Sequence, residues 1–236
     1  MSKIIGATVG TPIRPEKVIE KAKLDKELAD IKQEIADLKY VPIEITGVSN
    51  NKSKVEQGST VTEVTVTWEL NKEPVSQKVH YYKDADTKLE MEVDAAVRSV
   101  TLTDLNLKKV TRFAVEAVDE RGEVASYPTY IRFYNGIYYG ALPYGGDIDS
   151  GAILGMTRVL QNERTVNFTV SPGAGERPAY ALPSGSGTPT FKIGGFEYEW
   201  EKVATFAFTN ASGYAEEYDV WMHGQNVTGS ITVNVT

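Results

Sequence analysis

The chain has 236 residues, 41% of them hydrophobic and 24% charged, with a formal net charge of −7 and no cysteine. Its length exceeds the roughly 100–150 residues of a usual single domain, so two compact domains and an extension are expected. The acidic balance offers nothing to phosphate backbones or anionic lipid, and the missing thiols exclude disulfides, thiolate zinc sites and cysteine nucleophiles.

Residues 1–14 contain Gly6, Gly10 and Pro12 and show no helical period, which predicts an extended arm. Its Ile4, Ile5, Val9 and Ile13 would be exposed on a lone arm, so the arm is expected to attach to a partner. The short apolar run Ile4–Gly10 lacks the length and cleavage pattern of a signal peptide, and no stretch approaches the ~18 apolar residues of a membrane span. A soluble chain made in a cytoplasm is therefore expected.

Residues 15–41 predict a helical stem, opened by Pro15 where its missing N–H costs nothing and closed by Pro42, which forces Val41 out of the helical region. Leu24, Leu28, Ile31, Ile35 and Leu38 follow one another at spacings of 4, 3, 4 and 3, the a/d alternation of a heptad seam. Leu28 and Ile35 take a; Leu24, Ile31 and Leu38 take d. Glu27 and Glu34 then fall at g, with Lys32 and Lys39 at the e positions five residues further on, where parallel copies bring opposite charges together. The mixed Leu/Ile content leaves both trimer and dimer open. A helix folded back on its own β domains is the alternative.

From Ile43 the period changes to 2. Val64, Val66, Trp68 and Leu70 alternate with polar residues, as do Val100 and Leu102, then Phe113, Val115 and Ala117. Asn71–Pro74 and Asp119–Gly122 supply turns, and short strands at this spacing predict a β-sandwich over residues 42–140. Residues 131–142 predict a strand, an Asn135-Gly136 turn and a second strand joining two domains. A second β domain, residues 141–236, opens with a loop over 145–151 and continues with alternations at Val166/Phe168/Val170, Phe191/Ile193, Ala204/Phe206/Phe208, Tyr218/Val220/Met222 and Ile231/Val233/Val235. The fold class is therefore mainly β behind an N-terminal coiled-coil helix.

The words Val64-Thr-Val-Thr-Trp68 and Thr111-Arg-Phe113-Ala-Val115-Glu-Ala117 resemble the early Trp-bearing strand and the late core strand of a fibronectin type III or related immunoglobulin-like module. Phe113 stands where that family usually places a Tyr. The order of arm, short coiled coil, such a sandwich and a compact C-terminal β domain resembles bacteriophage and prophage virion appendage proteins of the fibre or baseplate-tip class. Gly187-Thr-Pro-Thr-Phe191-Lys-Ile-Gly-Gly-Phe196-Glu197 and Phe206-Ala-Phe-Thr-Asn-Ala-Ser-Gly-Tyr214 are the most specific words of that resemblance. It implies a homotrimeric virion protein, held to other virion proteins by residues 1–14, with a distal β domain facing the host surface.

Chemistry is thinly signalled. Glu197, Glu199 and Glu201 would share one strand face at about 6.5–7 Å intervals, a spacing compatible with glycosidase carboxylates but better explained as a wet face. His80 and His223 are read as surface residues in different domains, and Ser184, Ser186 and Ser212 lack a nucleophile motif. Asp147 and Asp149 match only the first two ligands of a calcium loop. No catalytic residue, metal or cofactor is assigned, and no nucleic-acid partner. Tyr198, Trp200, Tyr214 and Trp221 are the candidates for stacking on a host glycan, with core packing as the alternative. A carbohydrate-binding module outside any virion and a glycan depolymerase remain as competing functions.

Overall fold

A computed structural model describes residues 15–236 apart from Ala85 and Asn162, with side chains from Glu20 onward. The expected arm, with Ile4, Ile5, Val9 and Ile13, lies outside the described residues. Residues 1–42 and Ile43–Thr236 form separate units. In the first, helix α1 (Pro15–Lys39) runs for 25 residues, about 37 Å at 1.5 Å per residue. Its Ala, Leu, Glu and Lys content favours the helix intrinsically, and it stops just short of Val41-Pro42 as the sequence predicts.

The second unit is almost entirely β. Its first eight strands are β1 (Ile45–Asn50), β2 (Lys54–Glu56), β3 (Val64–Leu70), β4 (Ser76–Tyr82), β5 (Lys88–Val93), β6 (Ser99–Leu102), β7 (Thr111–Val118) and β8 (Val124–Tyr134). They form a three-stranded sheet in the order β1-β3-β6 and a five-stranded sheet in the order β2-β8-β7-β4-β5. All pairs are antiparallel except β2 with β8. One core joins the two sheets: Val64, Val66, Trp68 and Leu102 come from the first, and Val79, Phe113, Val115 and Ile131 from the second.

Alternation in β3 buries Val64, Val66 and Trp68 while the residues between them stay wetter. Burial of Trp68 is compatible with its indole N–H because that group donates to Gln77 Oε1 at 2.9 Å. The turn after β7 is held by buried Asp119, whose carboxylate accepts from the backbone N–H of Arg121 at 2.9 Å and of Glu123 at 3.1 Å. Asp119 also pairs with Lys72 at 3.0 Å, tying this turn to the one after β3.

The expected Asn135-Gly136 hairpin is not formed. Asn135 instead carries the chain from β8 straight into β9 (Gly136–Pro143), which belongs to a different sheet, so the change of sheet precedes the expected boundary at 140/141. A Cβ on Gly136 would lie 2.7 Å from the ring of Tyr138, and Gly136 O accepts the Tyr218 hydroxyl at 2.6 Å. Close approach, rather than a turn, requires the glycine here.

After β9 the loop expected over 145–151 ends in a short helix, α2 (Ser150–Leu154), because Asp149 caps it by accepting from Ala152 N at 2.8 Å. There follow β10 (Thr157–Leu160), β11 (Val166–Val170), β12 (Glu176–Pro183), β13 (Phe191–Ile193), β14 (Phe196–Glu197), β15 (Trp200–Thr209), β16 (Ala215–His223) and β17 (Ile231–Val235). A five-stranded sheet runs β10-β9-β12-β16-β15 and a four-stranded sheet runs β11-β17-β13-β14. The centre of the five-stranded sheet, strand β12, is buried on both faces. Tyr180 and Leu182 of β12 pack with Phe168, Phe191 and Val233 of the other sheet, while Ala179 and Ala181 pack with Ile153, Tyr218 and Val220.

Candidate functional site

Three surfaces follow from this framework: the α1 seam, the aromatics near the β14–β15 edge, and the junction between the two sandwiches. On α1 the seam residues are open to solvent, with exposures of 64% at Leu24, 51% at Leu28, 52% at Ile31, 46% at Ile35 and 86% at Leu38. Glu27, Lys32, Glu34 and Lys39 are exposed beside them. A row of five uncovered Leu and Ile side chains on one helix is a contiguous apolar surface flanked by charge, the arrangement that marks an interaction surface.

The aromatic set divides. Tyr198 is 47% exposed, and Phe196, which the sequence reading did not single out, is 75% exposed. Trp200 is a correction: it is buried, with its ring stacked on Phe191 at 4.0 Å and 9°. Trp221 is half-buried against the same cluster, 6.2 Å from Phe191. The period-2 pattern around residues 197–201 is misleading because the chain leaves β14 after Glu197 and starts β15 at Trp200, in the other sheet. Glu197, Glu199 and Glu201 therefore do not form one carboxylate row.

Tyr214 belongs to the junction. Its Cβ lies 2.3 Å from where a Cβ on Gly58 would stand, and Gly58 has φ +87°, so only glycine fits beneath it. Asn210 Nδ2 donates to Gln57 O at 2.7 Å, and the hydroxyls of Ser59 and Ser212 meet at 2.8 Å. The phenol of Tyr214 donates to Glu216 Oε2 at 2.8 Å, which holds it protonated above its usual range.

At the centre of the junction is Glu56 of β2, buried although ionisable. Its Oε1 accepts the Tyr138 hydroxyl at 3.1 Å and its Oε2 lies 2.6 Å from Arg158 Nη1. Burial, reinforced by the neighbouring Glu56 charge, pushes the Tyr138 phenol up to about 12. Burial works against the Arg158 charge, but the hydrogen bond and attraction of Glu56 outweigh it and raise the guanidinium further. Sequence reasoning missed these three because they lie on β2, β9 and β10 and carry no local pattern.

The histidines do not converge. His80 is clamped between carboxylates, with Nε2 3.1 Å from Glu116 Oε2 and Nδ1 3.1 Å from Glu90 Oε1, and Lys78 bridges both acids at 3.2 and 3.3 Å. The ammonium of Lys78 is raised by its hydrogen bonds to Glu116 and Glu90. His223 is buried rather than superficial, its ring 5.7 Å from Trp200 at 89°, and its Nδ1 accepts from Gln225 N at 3.1 Å. Asp149 serves as the helix cap described above. Among the described residues, no group of three or more His, Asp or Glu side chains is placed to hold a metal ion.

No protein-family model matches the chain, and no curated protein matches it. Among solved structures it is similar to chitinase ChiA74 from Bacillus thuringiensis at 11% identity and a TM-score of 0.26, covering 82% of this chain and 26% of that one. A likeness of that size carries no argument about fold or activity.

Proposed function

We propose that the chain is a structural subunit of a bacteriophage virion appendage, a homotrimer joined through α1, attached to the particle by residues 1–14 and presenting its C-terminal β domain to the host surface. The observation that carries this reading is the exposed seam. Leu24, Leu28, Ile31, Ile35 and Leu38 are each at least 46% exposed and in heptad register. Covering such side chains is worth roughly 1.5–3 kcal/mol each, so five per chain supply on the order of 10 kcal/mol before the costs of association. Glu27 and Glu34 at g, opposite Lys32 and Lys39 at e, favour parallel copies in register. The same arrangement supports reading α1 as a coiled-coil stem rather than a surface helix.

The first sandwich is read as immunoglobulin-like, of the fibronectin III kind, on the strength of Trp68 from one sheet and Phe113 from the other sharing a single core. The junction through Glu56, Tyr138 and Arg158 supports a spacer role, since it braces the two sandwiches against each other. Sedimentation equilibrium of the full chain tests the assembly: three times the 26.0 kDa chain mass is expected. Mass spectrometry of particles purified from the host that encodes the chain tests the location. A monomer in solution, or particles free of the chain, would overturn the reading.

A further inference from the structure

We propose that the groove between the two sandwiches is a binding site for an acidic saccharide, a hydroxyl-rich chain bearing carboxylate or phosphate groups. The groove has a volume of about 610 Å³, within the range of roughly 300–1,000 Å³ typical of ligand sites. Lys52, Lys54 and Arg158 line it, against Glu56 and Glu63, so its lining is net positive in a chain of net charge −7. A local excess of cations in an acidic protein focuses anions at one place.

The cations are held in position. Arg158 is braced by Glu56, which is in turn fixed by the Tyr138 hydroxyl, so the guanidinium is oriented while its side chain remains 40% exposed. Lys52 stands on the β1–β2 turn and Lys54 at the start of β2; the turn is pinned where Asn50 Oδ1 accepts from Lys52 N at 2.9 Å and Asn51 Oδ1 accepts from Thr65 N at 2.9 Å. Neither lysine has an acidic partner within salt-bridge distance among the described residues.

The rest of the lining favours a saccharide over an acidic peptide. Ser59, Thr60 and Thr62 supply hydroxyls that both donate and accept, matching sugar hydroxyls, and Leu160 with Val55 gives a small apolar patch for a sugar C–H face. The inference does not rest on the virion reading, since the groove lies within one chain.

The test is calorimetric titration of the full chain at low ionic strength with four probes: oligogalacturonate, poly(glycerol phosphate), neutral maltohexaose and poly-glutamate. One or both acidic polyols should bind and weaken as salt is raised, with maltohexaose and poly-glutamate at least tenfold weaker. The ratio of oligogalacturonate to poly(glycerol phosphate) affinity separates carboxylate from phosphate recognition. Lys52→Glu with Lys54→Glu, both exposed substitutions, should reduce binding at least tenfold without changing the circular dichroism spectrum. Arg158→Lys, which keeps the charge but loses the planar fork, should also weaken it. No binding of either acidic polyol, equal binding of poly-glutamate, or affinity unchanged in the double lysine variant would overturn the proposal.

Discussion

The hydroxyl of Tyr138 donates to the carboxylate of Glu56 across 82 positions of sequence, at 3.1 Å, and in doing so joins a strand of one sandwich to a strand of the other. Both groups are buried; the phenol takes Glu56 as its acceptor, while Glu56 has Arg158 as a second partner. Glu56→Ala leaves a buried phenol without an acceptor and Arg158 without its carboxylate, and should cost about 2–4 kcal/mol. Tyr138→Phe removes only the donor, leaves the Glu56–Arg158 pair intact, and should cost about 1 kcal/mol. Urea denaturation of the three proteins reads the order, and a larger loss in Tyr138→Phe would contradict this account of the junction.

The same burial sets an alkaline limit. In the folded chain the Tyr138 phenol is held up to about 12, and Tyr180 and Tyr218 are also pushed upward by burial. Below the ordinary value near 10 these groups are protonated in both states and contribute no pH dependence. Above it the unfolded chain releases protons that the folded chain keeps, so stability should fall as pH rises from about 10 to about 12. Tyrosinate absorbance should titrate in two parts, with the buried fraction appearing together with loss of tertiary structure. Asp219 sets the opposite edge. Burial acts to raise its carboxyl, but hydrogen bonds from Thr205 and Ser184 and the Lys202 charge outweigh this and hold it low, so its contribution is present above the usual carboxylate value and is lost as pH falls through the lowered one.

Trp200 illustrates how a surface reading becomes a stability prediction. Its ring lies flat on Phe191 at 4.0 Å inside the second sandwich. Trp200→Ala should therefore destabilise the chain by about 3–5 kcal/mol, seen as a drop in the midpoint of thermal unfolding. Tyr198→Ala and Phe196→Ala, at exposed positions, should stay within about 0.5 kcal/mol of the parent. Equal stability of Trp200→Ala and the parent would return Trp200 to the surface set.

How much was legible depended on whether a strand has a wet face. The strands β3, β11 and β17 alternate because one face is wetter than the other, and the sequence places them. In β12 the run Ala179-Tyr180-Ala181-Leu182 is buried on both faces, so period 2 disappears and the strand goes unread. The helix α1 was readable from spacing alone, and Asp149 could have announced α2 as a cap. Nothing local pairs Glu56 with Tyr138 and Arg158, because that contact is made by the packing of two sandwiches and has no sequence period. Trp200 misled because Glu197, Glu199 and Glu201 imitate a half-exposed strand across a place where the chain changes sheet.

The seam itself is best tested by exchanging its charges. If copies of α1 lie parallel in the stated register, each Glu at g faces a Lys at e of a neighbour, and an exposed pair of this kind contributes about 0.2–1 kcal/mol. Glu27→Lys with Glu34→Lys turns every such contact into Lys against Lys, as Lys32→Glu with Lys39→Glu turns every one into Glu against Glu. In a trimer two pairs recur at each of three interfaces, so either double variant should weaken assembly by several kcal/mol at low salt and by less at high salt. Combining all four substitutions restores opposite charges with the sense reversed, and should restore assembly while leaving Leu24, Leu28, Ile31, Ile35 and Leu38 untouched. An antiparallel or folded-back helix has no reason to respond in this reciprocal way. Sedimentation velocity at matched concentrations distinguishes the outcomes: recovery in the fourfold variant supports the parallel register, whereas a fourfold variant as weak as either double would refute it.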